Sequence, residues 1–236
     1  MDKIRFMVVS GFLGAGKTTT MIALAEYMDR NIGKTAIIAN DLGANLVDTS
    51  LTQTSGCTVA EIGNDCLCYQ MDNTVDQIRR LRDKEGATFV MSDIPGCGVG
   101  ALDHVYRTLH DDNADEFTLS PFMVMVDPER LRMIMPDINL PEELVYLLKL
   151  QLEEADLIVL NKIDLLDEPT IERYMGFLHE ACPDIPAMKI SDKDKTGIPE
   201  LAEYLTRRRS RTSRCATTRS SPMRRRSSPG TTAVCT

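Results

Sequence analysis

Gly11-Phe12-Leu13-Gly14-Ala15-Gly16-Lys17-Thr18 fits the spacing G-x-x-x-x-G-K-[ST]. These residue types suit phosphate binding. Glycines let a loop fold tightly with its N–H groups aimed inward, and a helix that begins at the loop adds the positive end of its dipole. A lysine at this position reaches β- and γ-phosphates, and the hydroxyl after it coordinates Mg²⁺. Gly11, Gly14, Ala15 and Gly16 are therefore read as the phosphate cradle. Lys17 is the phosphate-facing cation, Thr18 the Mg²⁺ ligand and Thr19 an α-phosphate contact. The alternative is a chance glycine turn before a helix. Both flanks speak against it. Ile4 to Ser10 is a short apolar run suited to a buried strand, and Met21, Leu24, Ala25 and Met28 recur at helical spacing.

Two further constellations follow in chain order. Thr88 to Ser92 reads as a strand that delivers Asp93-Ile94-Pro95-Gly96, the pattern D-x-x-G. There Asp93 would hold Mg²⁺ through water, and the Gly96 N–H would meet a γ-phosphate and sense its loss. Asp156 to Leu160 reads as a strand that delivers Asn161-Lys162-Ile163-Asp164, the pattern N-K-x-D. A carboxylate at Asp164 can accept from both N1–H and N2–H₂ of guanine, and adenine would leave it unmatched. Asn161 would brace that loop, and the aliphatic stem of Lys162 would cover the base. Ser191-Asp192-Lys193 follows a last short strand, where a second base-contacting loop belongs, and Ser191 is taken as its contact. Asp41 ends the strand Thr35 to Ala39 and could hold Mg²⁺ through water or orient the attacking water; a turn aspartate is the bland alternative.

Cys66 and Cys68 form a C-x-C pair. Side chains two residues apart on an extended chain point the same way, so two thiolates could share Zn²⁺, Co²⁺ or Ni²⁺. Two more donors would be needed, from Cys97, Cys57, His104, a partner or a second copy of the chain. Two buried unreactive cysteines fit the spacing equally well. The seven cysteines are unevenly spaced, which argues for thiols or metal ligands over a disulfide framework.

The elements that must position these groups alternate strand and helix. Helices are expected over Thr19 to Arg30, Asp72 to Lys84 (stopped by Gly86), Ala101 to His110, Pro141 to Glu154, Pro169 to Cys182 and Ile198 to Leu205. Strands are expected over Phe122 to Val126 and Ile185 to Ile190 as well as those named above. This predicts an α/β fold, a P-loop NTPase three-layer sandwich with a mostly parallel central sheet. The polar stretch 44–57 is expected to be a mobile switch segment.

The chain has 236 residues and a net charge of -8. Nine arginines lie between Arg207 and Arg226; removing them from 27 basic residues leaves 18 against 35 acidic ones, or -17 for residues 1–206. An acidic body argues against a nucleic-acid surface. No apolar run approaches the ~18 residues of a membrane span, and the N-terminus lacks a secretory signal, so a cytoplasmic protein without membrane contact is expected. Residues 1–205 form the expected domain. Residues 206–236 are rich in Arg, Ser, Thr and Pro and are expected to be a disordered basic tail, or an out-of-frame terminus, with no function built on it.

With these motifs in this order a GTPase is implied. Over residues 4–205 the chain resembles the CobW-like GTPases, relatives of the UreG and HypB nickel-insertion proteins. The resemblance rests on Gly11 to Thr19, on Asn40-Asp41-Leu42-Gly43 against that family's N-E-F-G, and on Glu61 to Cys68 against its E-L-x-N-G-C-x-C-C. Tyr69 stands where the family's third cysteine belongs, Asp65 replaces its glycine, and Asp93 replaces its usual Glu. The resemblance implies a metallochaperone in which GTP hydrolysis, with Mg²⁺, gates delivery of Zn²⁺, Co²⁺ or Ni²⁺ to a client metalloenzyme or corrinoid protein. It leaves open a nucleotide-switched chaperone for a cobalamin or corrinoid enzyme that carries no metal. Turnover is expected to be slow, because no arginine finger is evident and a partner or a second copy of the chain (a homodimer) would have to supply that charge.

Overall fold

The computed structural model describes residues 3–41, 58–63, 70–94, 100–135 and 141–212. In order these are β1 (Ile4–Gly11), α1 (Lys17–Asn31), β2 (Thr35–Asp41), β3 (Thr58–Gly63), α2 (Met71–Glu85) and β4 (Phe89–Asp93). A π-helical turn, Leu102–Tyr106, leads into α3 (Arg107–Asn113), then β5 (Phe117–Leu119), β6 (Met123–Val126), α4 (Pro128–Met133) and α5 (Glu142–Glu154). The chain continues with β7 (Leu157–Leu160), α6 (Glu168–Ala181), β8 (Ala187–Lys189) and α7 (Ile198–Arg207).

The strands form one sheet in the order β3-β2-β4-β1-β6-β7-β8, with β5 also on β1. Every pairing between these strands is parallel. The continuous apolar runs of β1, β4, β6 and β7 suit that arrangement, since a strand covered on both faces cannot alternate with polar residues. The connection leaving β1 crosses to β2 on one side, and the one leaving β4 crosses to β5 and β6 on the other. Right-handed crossovers in opposite directions put helices on both faces and open a crevice at the C-terminal ends of the central strands. The phosphate loop leaves β1 at that point.

Helix ends follow their local chemistry. Gly86 closes α2 in the left-handed region, with its N–H on the Arg82 carbonyl, as its place in the sequence predicts. Asp127 caps α4 by accepting the Arg130 N–H, with Pro128 at the first helical position. That short helix and the three-residue β5 are too brief to show a period in the sequence.

Strand β1 meets its outer neighbour in two pieces, β5 against Ile4 to Phe6 and β6 against Val9 to Gly11. Between them lie Ser120, Pro121 and Phe122, and a proline has no N–H to continue a ladder. Side chains fill the gap. The Val8 N–H donates to the hydroxyl of fully buried Tyr106 at 2.9 Å. The Phe122 N–H donates to Asp156 Oδ2 at 3.0 Å, and Ser120 Oγ donates to the Leu205 carbonyl at 2.8 Å. Tyr106 also meets Phe122 edge to face, with ring centroids 5.7 Å apart. Burial pushes the Tyr106 hydroxyl well above its ordinary pKa, so it stays protonated.

The chain stays packed on the domain beyond Leu205. Helix α7 runs to Arg207, and buried Ser210 donates its N–H to the Leu119 carbonyl at 3.0 Å. Arg211 donates its N–H and Nε–H to Asp156 Oδ1 at 3.0 and 2.9 Å and an Nη2–H to the Ala155 carbonyl, just past the end of α5, at 2.7 Å. The expected tail therefore begins with residues fixed by a guanidinium fork. Residues 213–236 lie outside the described residues, as does the 44–57 segment expected to switch.

Replacing Tyr106 by Phe keeps the ring packing and strands a buried Val8 N–H. Chemical denaturation of Tyr106→Phe is expected to show a loss of about 1–3 kcal/mol, the desolvation cost of an unsatisfied buried donor.

Candidate nucleotide site

Three strand registers bring the motifs to one edge of the sheet. Val9 pairs with Asp93, Gly11 with Met125, and Val126 with Leu160. The next residues in each case are the phosphate loop, the Asp127 cap and Asn161. Strand β8 joins the same edge, with the Ile190 N–H on the Leu160 carbonyl at 2.8 Å, and hands the chain to Ser191 and Asp192.

The loop between β1 and α1 requires its glycines. Gly11 has φ 137°, and a Cβ there would lie 2.2 Å from the Met125 carbonyl oxygen. Gly16 caps α1 with φ 93°, and a Cβ there would lie 2.4 Å from Asn161 Nδ2 and 2.5 Å from Asp192 Oδ2. Lys17 opens the helix, and its Nζ donates back to the Gly11 and Phe12 carbonyls at 2.9 and 3.3 Å. This holds the ammonium over the loop. Thr18 is part-exposed and Thr19 exposed, both in the first turn. Asp93 is half-buried at the end of β4, beside the phosphate-loop strand. A threonine hydroxyl and a carboxylate next to a phosphate cradle are hard oxygen donors, which fit Mg²⁺ and would not favour a soft metal. Asp41 closes β2; its side chain lies outside the described residues, and so does Gly96.

The N-K-x-D loop is bound directly to the phosphate loop. Asn161 is fully buried and donates Nδ2–H to the Ala15 carbonyl at 2.9 Å and to Asp192 Oδ2 at 2.9 Å. Its Oδ1 accepts the Asp192 N–H at 3.1 Å. Lys162 adopts a left-handed backbone, φ 62°, and its Nζ donates to the Gly14 carbonyl. The turn aims its stem across the loop, with Nζ also 3.9 Å from Asp127 Oδ2. Asp164 is held by its neighbours: Oδ1 accepts from Ser191 Oγ at 2.9 Å, and Oδ2 lies 3.7 Å from Lys193 Nζ. Ser191 Oγ in turn accepts the Asp194 N–H at 3.1 Å, so the serine hydroxyl's proton is directed to the carboxylate.

The structure thus brings Gly11 to Thr19, Asp93, Asn161, Lys162, Asp164 and Ser191 to one edge of the sheet. Asp192 and Asp127 join them, though the sequence reading gave neither a role. Strand-end position was the only signal for either, and it does not tell a buried brace from a turn aspartate. Cys57, Cys66, Cys68 and Cys97 lie outside the described residues. His104 is exposed on the π-helical turn, and among the described residues no group of three or more His, Cys, Asp or Glu could hold a metal ion. Gly100, where the described chain resumes after the D-x-x-G loop, donates its N–H to Glu154 Oε1 at 2.5 Å. Burial pushes the Glu154 carboxyl above its ordinary range.

Fold and loop together define a P-loop nucleotide-binding domain with an all-parallel sheet. Residues 5–189 match the family described as CobW/HypB/UreG, nucleotide-binding domain, and the chain belongs to that family. It is 30% identical over 189 residues to a zinc chaperone CobW of Sinorhizobium sp, covering 70% of this chain and 52% of that one. It is 26% identical over 230 residues to a zinc chaperone CobW of Pseudomonas aeruginosa, covering 84% and 59%. The chain thus spans between half and three-fifths of the length of these two relatives. In fold it is similar to HypB from Helicobacter pylori, solved in complex with nickel, with a TM-score of 0.59 at 16% identity and 86% of each chain covered.

Gly16→Ala is expected to lower nucleotide affinity on the order of 100-fold, since a left-handed alanine costs about 1–3 kcal/mol and its methyl also parts the loop from Asn161 and Asp192. Titration with a fluorescent GDP analogue, beside a circular-dichroism melt, measures it.

Proposed function

We propose that this chain binds and hydrolyses GTP and uses the nucleotide cycle to control delivery of a metal ion, zinc in the first instance, to a client protein. The observation that carries the nucleotide half is the fixed Asp164 carboxylate. It is oriented by Ser191 and Lys193 on a loop bonded to the phosphate cradle through Asn161 and Lys162. A carboxylate so held is set for two parallel N–H donors on one edge of a base, and guanine alone among the common bases offers N1–H beside N2–H₂.

The phosphates would lie on the amides of Gly14 to Thr18 at the head of α1. Lys17 would leave the Gly11 and Phe12 carbonyls for the β- and γ-phosphate oxygens, exchanging neutral acceptors for charged ones. Mg²⁺ held by Thr18 and, through water, by Asp93 would offset charge on the transferred phosphoryl group. Asp41 is assigned to orient the attacking water. No arginine is assigned to that charge, so slow turnover is proposed, raised by a client or a second copy of the chain.

The metal half rests on kinship. Both CobW relatives above are named zinc chaperones. The Cys66 and Cys68 thiolates are proposed as two ligands of the cargo ion, softer donors than the hydroxyl and carboxylates assigned to Mg²⁺. A soluble, cytoplasmic setting is proposed with it. Among the described residues no helix is long and apolar enough to cross a membrane.

Two measurements test the reading. In competition against a fluorescent GDP analogue, the unchanged chain is expected to prefer GTP over ATP by at least about 100-fold, and Asp164→Ala to bring the two near parity. Equal preference in the unchanged chain would sink the guanine assignment. For the cargo, Co²⁺ added to reduced protein is expected to give thiolate-to-cobalt charge-transfer absorbance that differs between GTP-analogue and GDP states. The band should vanish in the Cys66→Ser, Cys68→Ser double variant; no band in any nucleotide state would remove these thiols from the mechanism.

A further inference from the structure

The Asn161 amide is used up inside the protein. A primary amide has two N–H donors, and here they go to the Ala15 carbonyl and to Asp192 Oδ2, both at 2.9 Å, while Oδ1 takes the Asp192 N–H at 3.1 Å. Asp192 therefore grips Asn161 through both its backbone and its side chain. Its Oδ2 also takes the Thr20 hydroxyl at 3.5 Å, and Thr20 is fully buried in the first turn of α1. Asp192 is 8% exposed, and its carboxylate lies so near Gly16 that a Cβ on that glycine would be 2.5 Å from Oδ2. A buried carboxylate is costly to desolvate, and it is held here by donors from the base loop and from the phosphate-binding helix. Ser191, the residue before it, orients Asp164.

We propose that Asp192 is a positioning residue that locks the guanine-reading loop to the phosphate loop at a fixed spacing, through Asn161 on one side and Thr20 on the other. The proposal rests on the nucleotide reading above and deepens it. The Asp192 carboxylate is assigned to act through Asn161 and Thr20 and not on the ligand itself. It makes the two half-sites one rigid unit, so that a nucleotide engaging one end meets the other already in place. Such preorganisation multiplies the affinities of two linked ligand halves and leaves each half alone unaffected.

That asymmetry separates positioning from general support. The ligands are GDP, guanosine and inorganic tripolyphosphate, each displacing a fluorescent GDP analogue from the full chain. In Asp192→Ala, GDP affinity is expected to fall about 10- to 100-fold, with guanosine and tripolyphosphate within about 2-fold of the unchanged chain. Removing a negative charge beneath the phosphate loop would by itself strengthen polyanion binding, so a loss of GDP affinity runs against simple electrostatics. Asp192→Asn keeps an acceptor for Asn161 and Thr20 and is expected to recover GDP affinity to within about 3-fold. Thr20→Val, which releases only the longer contact, should show the same pattern at about 2- to 5-fold and serves should Asp192→Ala fold poorly. Unaltered GDP affinity in Asp192→Ala, or equal losses for all three ligands, overturns the positioning role. An unchanged chain that binds guanosine and GDP alike sinks it too, since the halves are then not coupled. Failure of the unchanged chain to bind any guanine ligand sinks the nucleotide reading itself.

Discussion

The close approach of β1 to β6 at Gly11 sets the rest of the site. The Gly11 Cα passes so near the Met125 carbonyl that no side chain fits, and its φ of 137° turns the backbone out of the strand. Only with that turn does Phe12 donate back to Met125, at 3.4 Å, and the loop close over the end of β1. The loop then returns as α1 with Gly16 against Asn161 and Asp192. Two glycines without alternatives thus fix where the phosphate cradle stands relative to β6, β7 and β8. The base loop depends on that placement, because its buried amide has the Ala15 carbonyl as a partner.

The strand that carries this loop is supported from beneath by side chains. A parallel sheet with a proline at its centre forfeits ladder bonds, and a buried N–H left open is expensive. Tyr106 and Asp156 stand in for backbone at the break between β5 and β6. Arg211 then neutralises the Asp156 charge while reaching the Ala155 carbonyl. The far end of the domain is in this way tied to the same break. Residues bonded here are far apart in sequence, Val8 and Tyr106 by 98 positions and Asp156 and Arg211 by 55.

Legibility in the sequence follows from the range of the interactions. Strands β1, β4, β6 and β7 are buried on both faces and read as apolar runs, and α2 is amphipathic and closed by a glycine, so local composition reveals them. The P-loop and N-K-x-D segments read clearly because their chemistry is compressed into eight and four residues. Edge strand β3 and the three-residue β5 carry too little pattern. The stretch Ala101 to His110 reads as helix without showing the π-helical turn at Leu102–Tyr106, since the extra residue that widens a turn leaves no mark in a ten-residue window. Asp192 was invisible as a brace for a different reason. Its partners, Asn161 and Thr20, come from the loop after β7 and from α1, and only the folded sheet makes them neighbours.

The two halves of the proposed function place opposite demands on the structure. Guanine recognition and phosphate binding are properties of a rigid edge. Three parallel registers define the positions of the groups, and a donor moved by an ångström loses most of its hydrogen-bond energy. Metal transfer requires the opposite: a site that holds an ion in one nucleotide state must weaken in another, so its ligands belong on segments whose arrangement the nucleotide can bias. The proposed cargo thiols would meet that need if their segments respond to the nucleotide. In the sequence Cys66 and Cys68 follow β3, and Cys97 follows Gly96, whose N–H is expected from the D-x-x-G pattern to meet a γ-phosphate. A coupling between cargo and nucleotide would then pass from the phosphate through Gly96 to the neighbouring thiol. The fixed edge would serve as the frame against which that displacement is made, and a frame loosened at Asp192 would blunt the coupling as well as the affinity.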